Sequence, residues 1–339
     1  MDSLINKYPI IPEILSLFES HCYSALNDHF HDEASPLREM LLYHMGWSGD
    51  GMAKKGKRIR PLLCCLVTHL AGGKWVDAIP AAISIEFIHN FSLIHDDIQD
   101  QSPTRHGQET LWKRNGIAQA INAGDAMFAL ALDEIWKLTE VYPIAIVSEC
   151  SRLLTSTCLS LTEGQYLDID FENRTLVTPH EYQKMVEGKT ASLIAACTEI
   201  GGLLGTDNHS RIKDFKEFGY DLGMAFQVID DYLGIWGDAA LTGKSTESDL
   251  VDGKMSYPVV LAISQSKAFA DRWKAGDIQP DEIPTLLQLM EAAGIADQTR
   301  ARADEITANA QSSLHKAAGT HPDFEILTNL TGWLLKRDI

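Results

Sequence analysis

Hydrophobic residues recur at intervals of three and four along nearly the whole chain, which is the spacing of one face of an α-helix. Convincing period-two alternation bounded by hairpin turns is absent, so the pattern predicts almost no strand. Breakers rich in Gly and Pro separate the periodic segments, but none is long or simple enough in composition to be a clear domain linker. We therefore expect an all-α protein with a single domain over residues 1–339. Its predicted helices cover residues 13–31, 36–48, 58–71, 78–100, 115–141, 143–170, 179–204, 210–236, 257–270, 281–293 and 296–317.

The predicted helix 78–100 is apolar nearly all round, which predicts burial, yet it ends in three carboxylates. Asp96 and Asp100 are four residues apart and project from one helix face, and Asp97 lies beside them. Two like charges this close in apolar surroundings repel each other and favour a bound cation. Carboxylate oxygens without paired His or Cys favour Mg²⁺. The alternative is an ordinary solvated acidic surface of a helix.

A second acidic pair, Asp230 and Asp231, ends another apolar helical segment. Basic residues next to or near glycines accompany the two acidic motifs, and these are Lys57, Arg60, Lys189, Lys244 and Lys254. Carboxylates with a metal ion, together with Lys and Arg, can hold a diphosphate. The two motifs are expected to line two walls of a central apolar cavity.

The composition is strongly acidic, and this narrows the classes of function. The formal net charge of −18 argues against nucleic acid or an anionic membrane surface as the main partner. The six cysteines have no CxxC spacing and lie mostly in apolar helical context, which is typical of reduced thiols in a cytosolic protein. Because no signal-peptide pattern or spanning apolar run is recognisable, we expect a soluble, cytoplasmic protein without a transmembrane segment.

Six motifs, in the same order, resemble those of the trans-prenyl diphosphate synthases, the all-α prenyltransferases that make geranyl, farnesyl and geranylgeranyl diphosphates. They are GKRIRP, IHNFSLIHDDIQD, GKTA, FQVIDD, a Gly-Lys pair and DGKMSYP, and they lie between about residues 56 and 258. The resemblance implies an isoprenoid synthase helical bundle, a homodimer, and condensation of isopentenyl diphosphate with allylic diphosphates. It also implies Mg²⁺ as the cofactor, with three ions around the bound diphosphate.

The resemblance assigns a role to each matching residue. The implied metal ligands are Asp96, Asp100 and Asp230. Asp97 and Asp231 would bind the metal through a water molecule or hold the ligand residues in position without touching the metal. The residues implied to grip the allylic diphosphate are Arg105, Lys189 and Lys244, with Lys254 nearby. Those implied to bind isopentenyl diphosphate are Lys57, Arg60 and His89. Thr190 and Gln227 fall where the family places polar groups beside the developing carbocation, and with Lys189 they are the catalytic candidates; Asp168 could orient Lys189.

Two positions depart from the family's pattern. The family usually has two consecutive arginines before Gly107, whereas this chain has Arg105 and His106. The second arginine helps to bind isopentenyl diphosphate, so His106 puts that affinity in doubt, although a nearby diphosphate would raise the pKa of its imidazole. Gly234 stands in place of the usual third aspartate of the second motif. We expect activity to survive this change, because the family's metal coordination relies mainly on the first aspartate.

Product length is predicted from Phe91, which lies about one turn before Asp96 toward the buried end of the same helix. A growing isoprenoid tail would run down to this bulky residue and stop, which in this family goes mostly with a C20 product, geranylgeranyl diphosphate. The alternative interpretation of Phe91 is an ordinary core residue. Two alternatives for the function remain: a terpene-cyclase-like enzyme of the same fold that ionises a C15 or C20 diphosphate without condensation, and a partner subunit of another prenyl synthase.

Overall fold

The computed structural model of the protein describes residues 1–30, 34–47, 56–237, 248–251, 253–276 and 278–335. Its α-helices are α1 (Asp2–Lys7), α2 (Ile10–Asp28), α3 (Pro36–His44), α4 (Ile59–Ala71), α5 (Ile79–Gln99), α6 (Leu111–Asn115), α7 (Ile117–Glu134), α8 (Ile144–Glu172), α9 (Pro179–Val186), α10 (Ser192–Gly205), α11 (His209–Trp236), α12 (Ser248–Val251), α13 (Tyr257–Gln265), α14 (Lys267–Lys274), α15 (Ile283–Ala292), α16 (Ile295–Ala318) and α17 (Phe324–Leu335). Short 3₁₀ segments cover Trp75–Ala78, Ile135–Glu140 and Pro280–Glu282, and a π-helical turn covers Glu187–Ala191. The all-α prediction is confirmed.

The structure differs from the predicted elements where the sequence signal is short. A hairpin of two antiparallel strands, β1 (Thr104–Arg105) and β2 (Gln108–Glu109), was not expected, because strands of two residues are too short to show alternation. Helices α1 and α12, and all of α6 except its last residue, lie outside the predicted segments for the same reason. Helix α17 was missed although it buries an apolar face. The single predicted helix 257–270 is interrupted at Ser266, whose side chain accepts a hydrogen bond from the Phe269 amide and caps α14.

The described helices divide into two compact units. The first comprises Met1–Thr155 and Cys197–Ile212, and the second comprises Ser156–Ala196 and Lys213–Ile339. The expectation of one domain over residues 1–339 stays a prediction.

In the first unit, α5 is held against α7 by one close contact near its start and another near its polar end. The hydroxyl of Ser84 donates a hydrogen bond of 2.5 Å to the carbonyl of Ala131. Further along, a Cβ atom added to Gly124 would lie 2.2 Å from Nε2 of His95, so a larger residue there would force that imidazole to move. The second of these contacts lies beside the end of α5 that carries the first acidic motif.

Arg58 fixes the start of α4 and the loop before it. Its backbone is left-handed, with φ at 50°, and its guanidinium is buried. The guanidinium donates to Glu19 at 2.7 Å, to Glu86 at 2.8 Å and to the carbonyl of Met45 at 3.0 Å. Burial alone would lower the pKa of Arg58, but the carboxylates of Glu86 and Glu19 outweigh it and raise that pKa. Arg58 therefore ties α2, α3 and α5 to the segment that carries Lys57.

In the second unit, α8 packs backbone to backbone on the π-helical turn. A Cβ atom on Gly164 would lie 2.1 Å from the amide nitrogen of Lys189, and one on Gly188 would lie 2.5 Å from the carbonyl oxygen of Ser160. Two glycines are thus required where these segments meet. A π-helical turn is an uncommon feature that occurs often at functional sites, and this one contains Lys189 and Thr190.

One helix among the described residues, Ile144–Glu172, is long and apolar enough to cross a membrane by length and composition alone. About two fifths of its most apolar window, 39%, is buried inside the protein. A single helix of this kind is weak evidence for a membrane span, because core helices of soluble proteins pass the same test.

Candidate active site

The first acidic motif lies at the C-terminal end of α5. Asp97 is buried, with 2% of its surface exposed, whereas Asp96 is partly buried and Asp100, which caps the helix, is exposed. The guanidinium of Arg105 lies 2.8 Å from Oδ1 of Asp97 and 3.4 Å from Oδ2 of Asp96. Burial raises the pKa of the Asp97 carboxyl, and the hydrogen bond from Arg105 opposes that shift. The arginine thus supplies part of the positive charge that the adjacent carboxylates require.

The β1–β2 hairpin brings Arg105 to this motif. Arg105 pairs with Gln108 across the hairpin, and the two residues between them, His106 and Gly107, both have positive φ, at 53° and 82°. A two-residue hairpin loop with positive φ at both central positions twists in the same sense as its strands. The turn therefore fixes Arg105 against the end of α5 and leaves the His106 side chain largely exposed.

The residues expected to bind isopentenyl diphosphate lie at the start of α4 and on α5. Nη1 of Arg60 is 3.1 Å from Nε2 of His89, so the structure brings these two together. Burial lowers the pKa of both side chains, and the Arg60 charge lowers the pKa of His89 further. Lys57 is exposed, two residues before α4 begins.

A pocket in the first unit is lined by three histidines, His44, His89 and His106, and also by Arg105 and Asp97. His44 is the last residue of α3, and it was not among the residues singled out from the sequence. Its buried Nε2 atom has no hydrogen-bond partner within the described ranges. Burial, and then the positive charge of Arg105, lowers the pKa of His44 to about 3, so its imidazole is neutral at neutral pH.

Phe91 is partly buried on α5, and its ring packs against two others. The ring centroid lies 5.0 Å from that of His95, edge to face, and 5.2 Å from that of Phe128 on α7. Aromatic rings at these separations attract each other beyond simple burial. Phe91 is therefore held in place by neighbours from α5 and α7.

In the second unit, the buried carboxylate of Asp231 organises the residues expected near the carbocation. Oδ2 accepts hydrogen bonds from the Tyr182 hydroxyl and, at 2.7 Å, from the Tyr257 amide, while Oδ1 accepts one of 2.8 Å from Gln227. Gln227 in turn accepts a hydrogen bond of 2.9 Å from the hydroxyl of Thr190. Both Asp231 oxygens are used within the protein, which favours a positioning role over direct metal binding.

Two lysines of this unit lie beside carboxylates. The ammonium of Lys189 donates to Asp168, which agrees with the expected orienting role of Asp168. Desolvation opposes the charge of Lys254, but the carboxylates of Asp231 and Asp249 outweigh this effect and raise its pKa. Both lysines therefore lie close to acidic groups.

Gly234, the departure in the second motif, has a local packing reason. A Cβ atom at this position would lie 2.4 Å from Oδ2 of Asp249, a buried residue of α12. The space that a side chain at 234 would occupy is therefore taken by the Asp249 carboxylate. Asp230, just upstream on α11, is partly buried.

Lys244 lies outside the described residues, so its place in the site stays a prediction. Sequence reasoning missed His44, Tyr182, Tyr257 and Asp249. Tyr182 reaches its partner Asp231 from 49 positions away, which no local pattern reveals. Local signals existed for Tyr257, which lies in the DGKMSYP motif, and for Asp249, which lies in the same glycine-flanked segment as Lys254.

The donor set fits Mg²⁺. Asp96 and Asp100 lie one turn apart at the C-terminal end of α5, and Asp230 lies on α11, six residues before that helix ends. Mg²⁺ prefers such hard oxygen ligands, and it binds through one or two carboxylates together with water and phosphate oxygens. Each of the two acidic motifs, taken within its own unit, therefore offers oxygen ligands suited to Mg²⁺.

Comparisons with known proteins agree with these features. A family model described as polyprenyl synthetase matches residues 48–290. The chain is 32% identical over 326 residues to the geranylgeranyl diphosphate synthase of Mycobacterium tuberculosis, covering 94% of this chain and 92% of that protein. It is 36% identical over 270 residues to a (2E,6E)-farnesyl diphosphate synthase of Mycobacterium bovis, covering 76% and 74%.

Solved structures give the same result. The chain is similar to a polyprenyl synthetase from Streptomyces coelicolor, with a TM-score of 0.85 and 33% identity, covering 96% of this chain and 99% of that one. It is also similar to a geranylgeranyl pyrophosphate synthetase from Pyrococcus horikoshii, with a TM-score of 0.89 and 28% identity, covering 99% of each chain.

Proposed function

We propose that this chain, which belongs to the polyprenyl synthetase family and is a prenyltransferase, condenses isopentenyl diphosphate with allylic diphosphates and releases geranylgeranyl diphosphate. The named relatives include both geranylgeranyl and farnesyl diphosphate synthases, so the C20 product is the specific part of the proposal.

The paired Arg60 and His89 are the observation that supports condensation most directly. A cyclase needs one diphosphate site, whereas a condensing enzyme needs a second site for isopentenyl diphosphate. Arg60 keeps a buried Nε atom without a partner in the described part of the chain, although Nη1 contacts His89. A buried, unused donor on a guanidinium is suited to a phosphate oxygen.

We assign the allylic diphosphate to Arg105, Lys189, Lys244 and Lys254. Arg105 forms an ion pair with Asp97, and Lys189 forms one with Asp168, so both side chains are held in position before substrate binds. Asp96, Asp100 and Asp230 would hold Mg²⁺, in our proposal three ions, which supplies the charge that makes diphosphate a better leaving group. The C–O bond to the allylic carbon breaks, and its electron pair leaves with the diphosphate.

The polar groups of the second unit are suited to stabilise the allylic cation. Thr190 and Gln227 present oxygen atoms, and the chain of hydrogen bonds through Gln227 to Asp231 holds them in fixed positions. Preorganised dipoles stabilise developing charge without having to reorient during the reaction. The double bond of isopentenyl diphosphate attacks the cation, and the proton lost from the adjacent carbon goes to the departed diphosphate.

Phe91 is our candidate for the residue that ends chain growth. Its ring is fixed by His95 and Phe128, so it cannot swing aside as a lone side chain would. A growing prenyl tail that meets this ring stops, which supports a short product.

An incorporation assay tests the proposal. Purified protein is incubated with Mg²⁺, labelled isopentenyl diphosphate and, separately, C5, C10 or C15 allylic diphosphate, and products are extracted before and after phosphatase treatment. The proposal predicts that label enters the organic phase as a C20 alcohol only after phosphatase treatment. Hydrocarbon formed from a C15 or C20 diphosphate alone, without incorporation, would identify a cyclase and overturn the proposal. Incorporation that requires a second protein would identify a partner subunit.

A further inference from the structure

The pocket lined by His44, His89 and His106 has an unusual balance of charge for a diphosphate site. Its two arginines are already engaged with carboxylates: Arg58 with Glu19 and Glu86, and Arg105 with Asp96 and Asp97. Arg105 is also assigned above to the allylic diphosphate, so a second diphosphate in this pocket would draw part of its hydrogen bonding from the imidazoles.

His44 is the imidazole of this pocket with unused capacity on a buried atom. His89 is already bonded to Arg60, and His106 is exposed in the hairpin turn. Nε2 of His44 is buried and has no partner among the residues that the structure describes. A buried polar atom without a partner costs free energy, and such an atom in a pocket wall indicates a group that a ligand completes.

We propose that His44 binds the diphosphate of isopentenyl diphosphate through Nε2, and that it supplies the contact that His106 cannot make as strongly as an arginine. This inference rests on the proposed function, because it assigns a further residue to the isopentenyl diphosphate site. The hydrogen bond forms only when the homoallylic substrate is bound, so its loss weakens the binding of that substrate and not of the allylic primer.

Two substitutions separate the two ring nitrogens of His44. The amide of His44→Gln reaches the position of Nε2, whereas the shorter amide of His44→Asn reaches only that of Nδ1. We expect His44→Asn to raise KM for isopentenyl diphosphate by about tenfold to hundredfold, since bonds to charged groups contribute this much. KM for isopentenyl diphosphate in His44→Gln should be lower than in His44→Asn by a factor of about ten or more. KM for the allylic primer should change little in either variant, and His180→Asn, at an exposed position of α9, should match the wild type.

Equal KM values for isopentenyl diphosphate in His44→Asn and the wild type would overturn the assignment. An equal rise in that KM in His44→Gln and His44→Asn would also overturn it, as would an equal rise in KM for both substrates. A wild-type protein that incorporates no isopentenyl diphosphate would instead refute the proposed function itself. Should His44→Asn fail to fold, nitrogen NMR of the wild-type imidazole gives the answer, with His44→Gln used to assign the signal. The His44 signal should shift on addition of isopentenyl diphosphate and not on addition of an unreactive allylic thiolodiphosphate; no shift with isopentenyl diphosphate would refute the role.

Discussion

Replacing Phe91 by Ala removes the ring that we assign as the end of the product cavity. The substitution deletes the contacts of that ring with His95, at 5.0 Å, and Phe128, at 5.2 Å. One further isoprene unit contributes five carbons, and at about 0.8 kcal/mol per buried carbon its burial is worth up to about 4 kcal/mol. Half of this gain would favour the longer product by about thirtyfold. We therefore expect Phe91→Ala to convert a C20 product into C25 and longer chains.

The assay is the length distribution of dephosphorylated products at excess isopentenyl diphosphate. Phe324→Ala is the matched control, because Phe324 is also partly buried and packs edge to face on a histidine, His315, at 5.6 Å, but has no proposed role. The Phe91 variant should lose about 2 kcal/mol of stability, less than the 3–5 kcal/mol typical of a fully buried Phe. A folded Phe91→Ala protein that still stops at C20 would refute the assignment and leave Phe91 as an ordinary core residue.

Three further predictions follow from particular contacts. Arg58→Met leaves the buried Glu86 without its cation and should lower the free energy of unfolding, measured in urea, by about 3–5 kcal/mol. The control Arg152→Met removes an exposed ion pair and should leave the urea midpoint unchanged. Similar midpoints for the two variants would contradict the role of Arg58. Tyr182→Phe removes the hydroxyl that donates to Asp231, and it should lower kcat about tenfold with little change in either KM. The control Tyr220→Phe removes a hydroxyl that donates to Glu187 and should leave kcat unchanged. An unchanged kcat in Tyr182→Phe would show that the Asp231 network does not position Thr190. Burial lowers the pKa of His44 from 6.5 to about 3 in the folded protein, so between these pH values the unfolded chain binds a proton that the folded chain does not. The free energy of unfolding should therefore fall as the pH is lowered from 6.5 toward 3, by up to about 1.4 kcal/mol per pH unit. His44→Gln should flatten this dependence, and parallel pH profiles for the two proteins would contradict it.

The helical fold and the acidic motifs were accessible from the sequence because both are local patterns. The buried helix α5 shows its apolar character in consecutive residues, and Asp96 and Asp100 are one turn apart on it. The Lys189–Asp168 contact was also anticipated, although only from family resemblance. Spacing along one helix is enough to predict which side chains share a face.

The partners of these motifs were not accessible, because they are brought together by tertiary packing. Tyr182 and the Tyr257 amide reach Asp231 from 49 and 26 positions away, and no local pattern marks either contact. The hairpin that presents Arg105 has strands of two residues, and its only signal was the His106–Gly107 pair, which resembles turn sequences weakly. His44 ends a short helix and looks like an ordinary polar residue until its Nε2 atom is found buried in a pocket wall.

The most direct test of the proposed C20 synthase is the mass of the product formed from a C15 primer. Wild-type protein, Mg²⁺, farnesyl diphosphate and excess isopentenyl diphosphate are incubated to completion, and the dephosphorylated products are analysed by mass spectrometry. The proposal predicts one dominant alcohol with twenty carbons and no further elongation. A series of products beyond C20 would contradict it. So would farnesyl diphosphate that remains unused, when parallel incubations convert C5 and C10 primers to a C15 product.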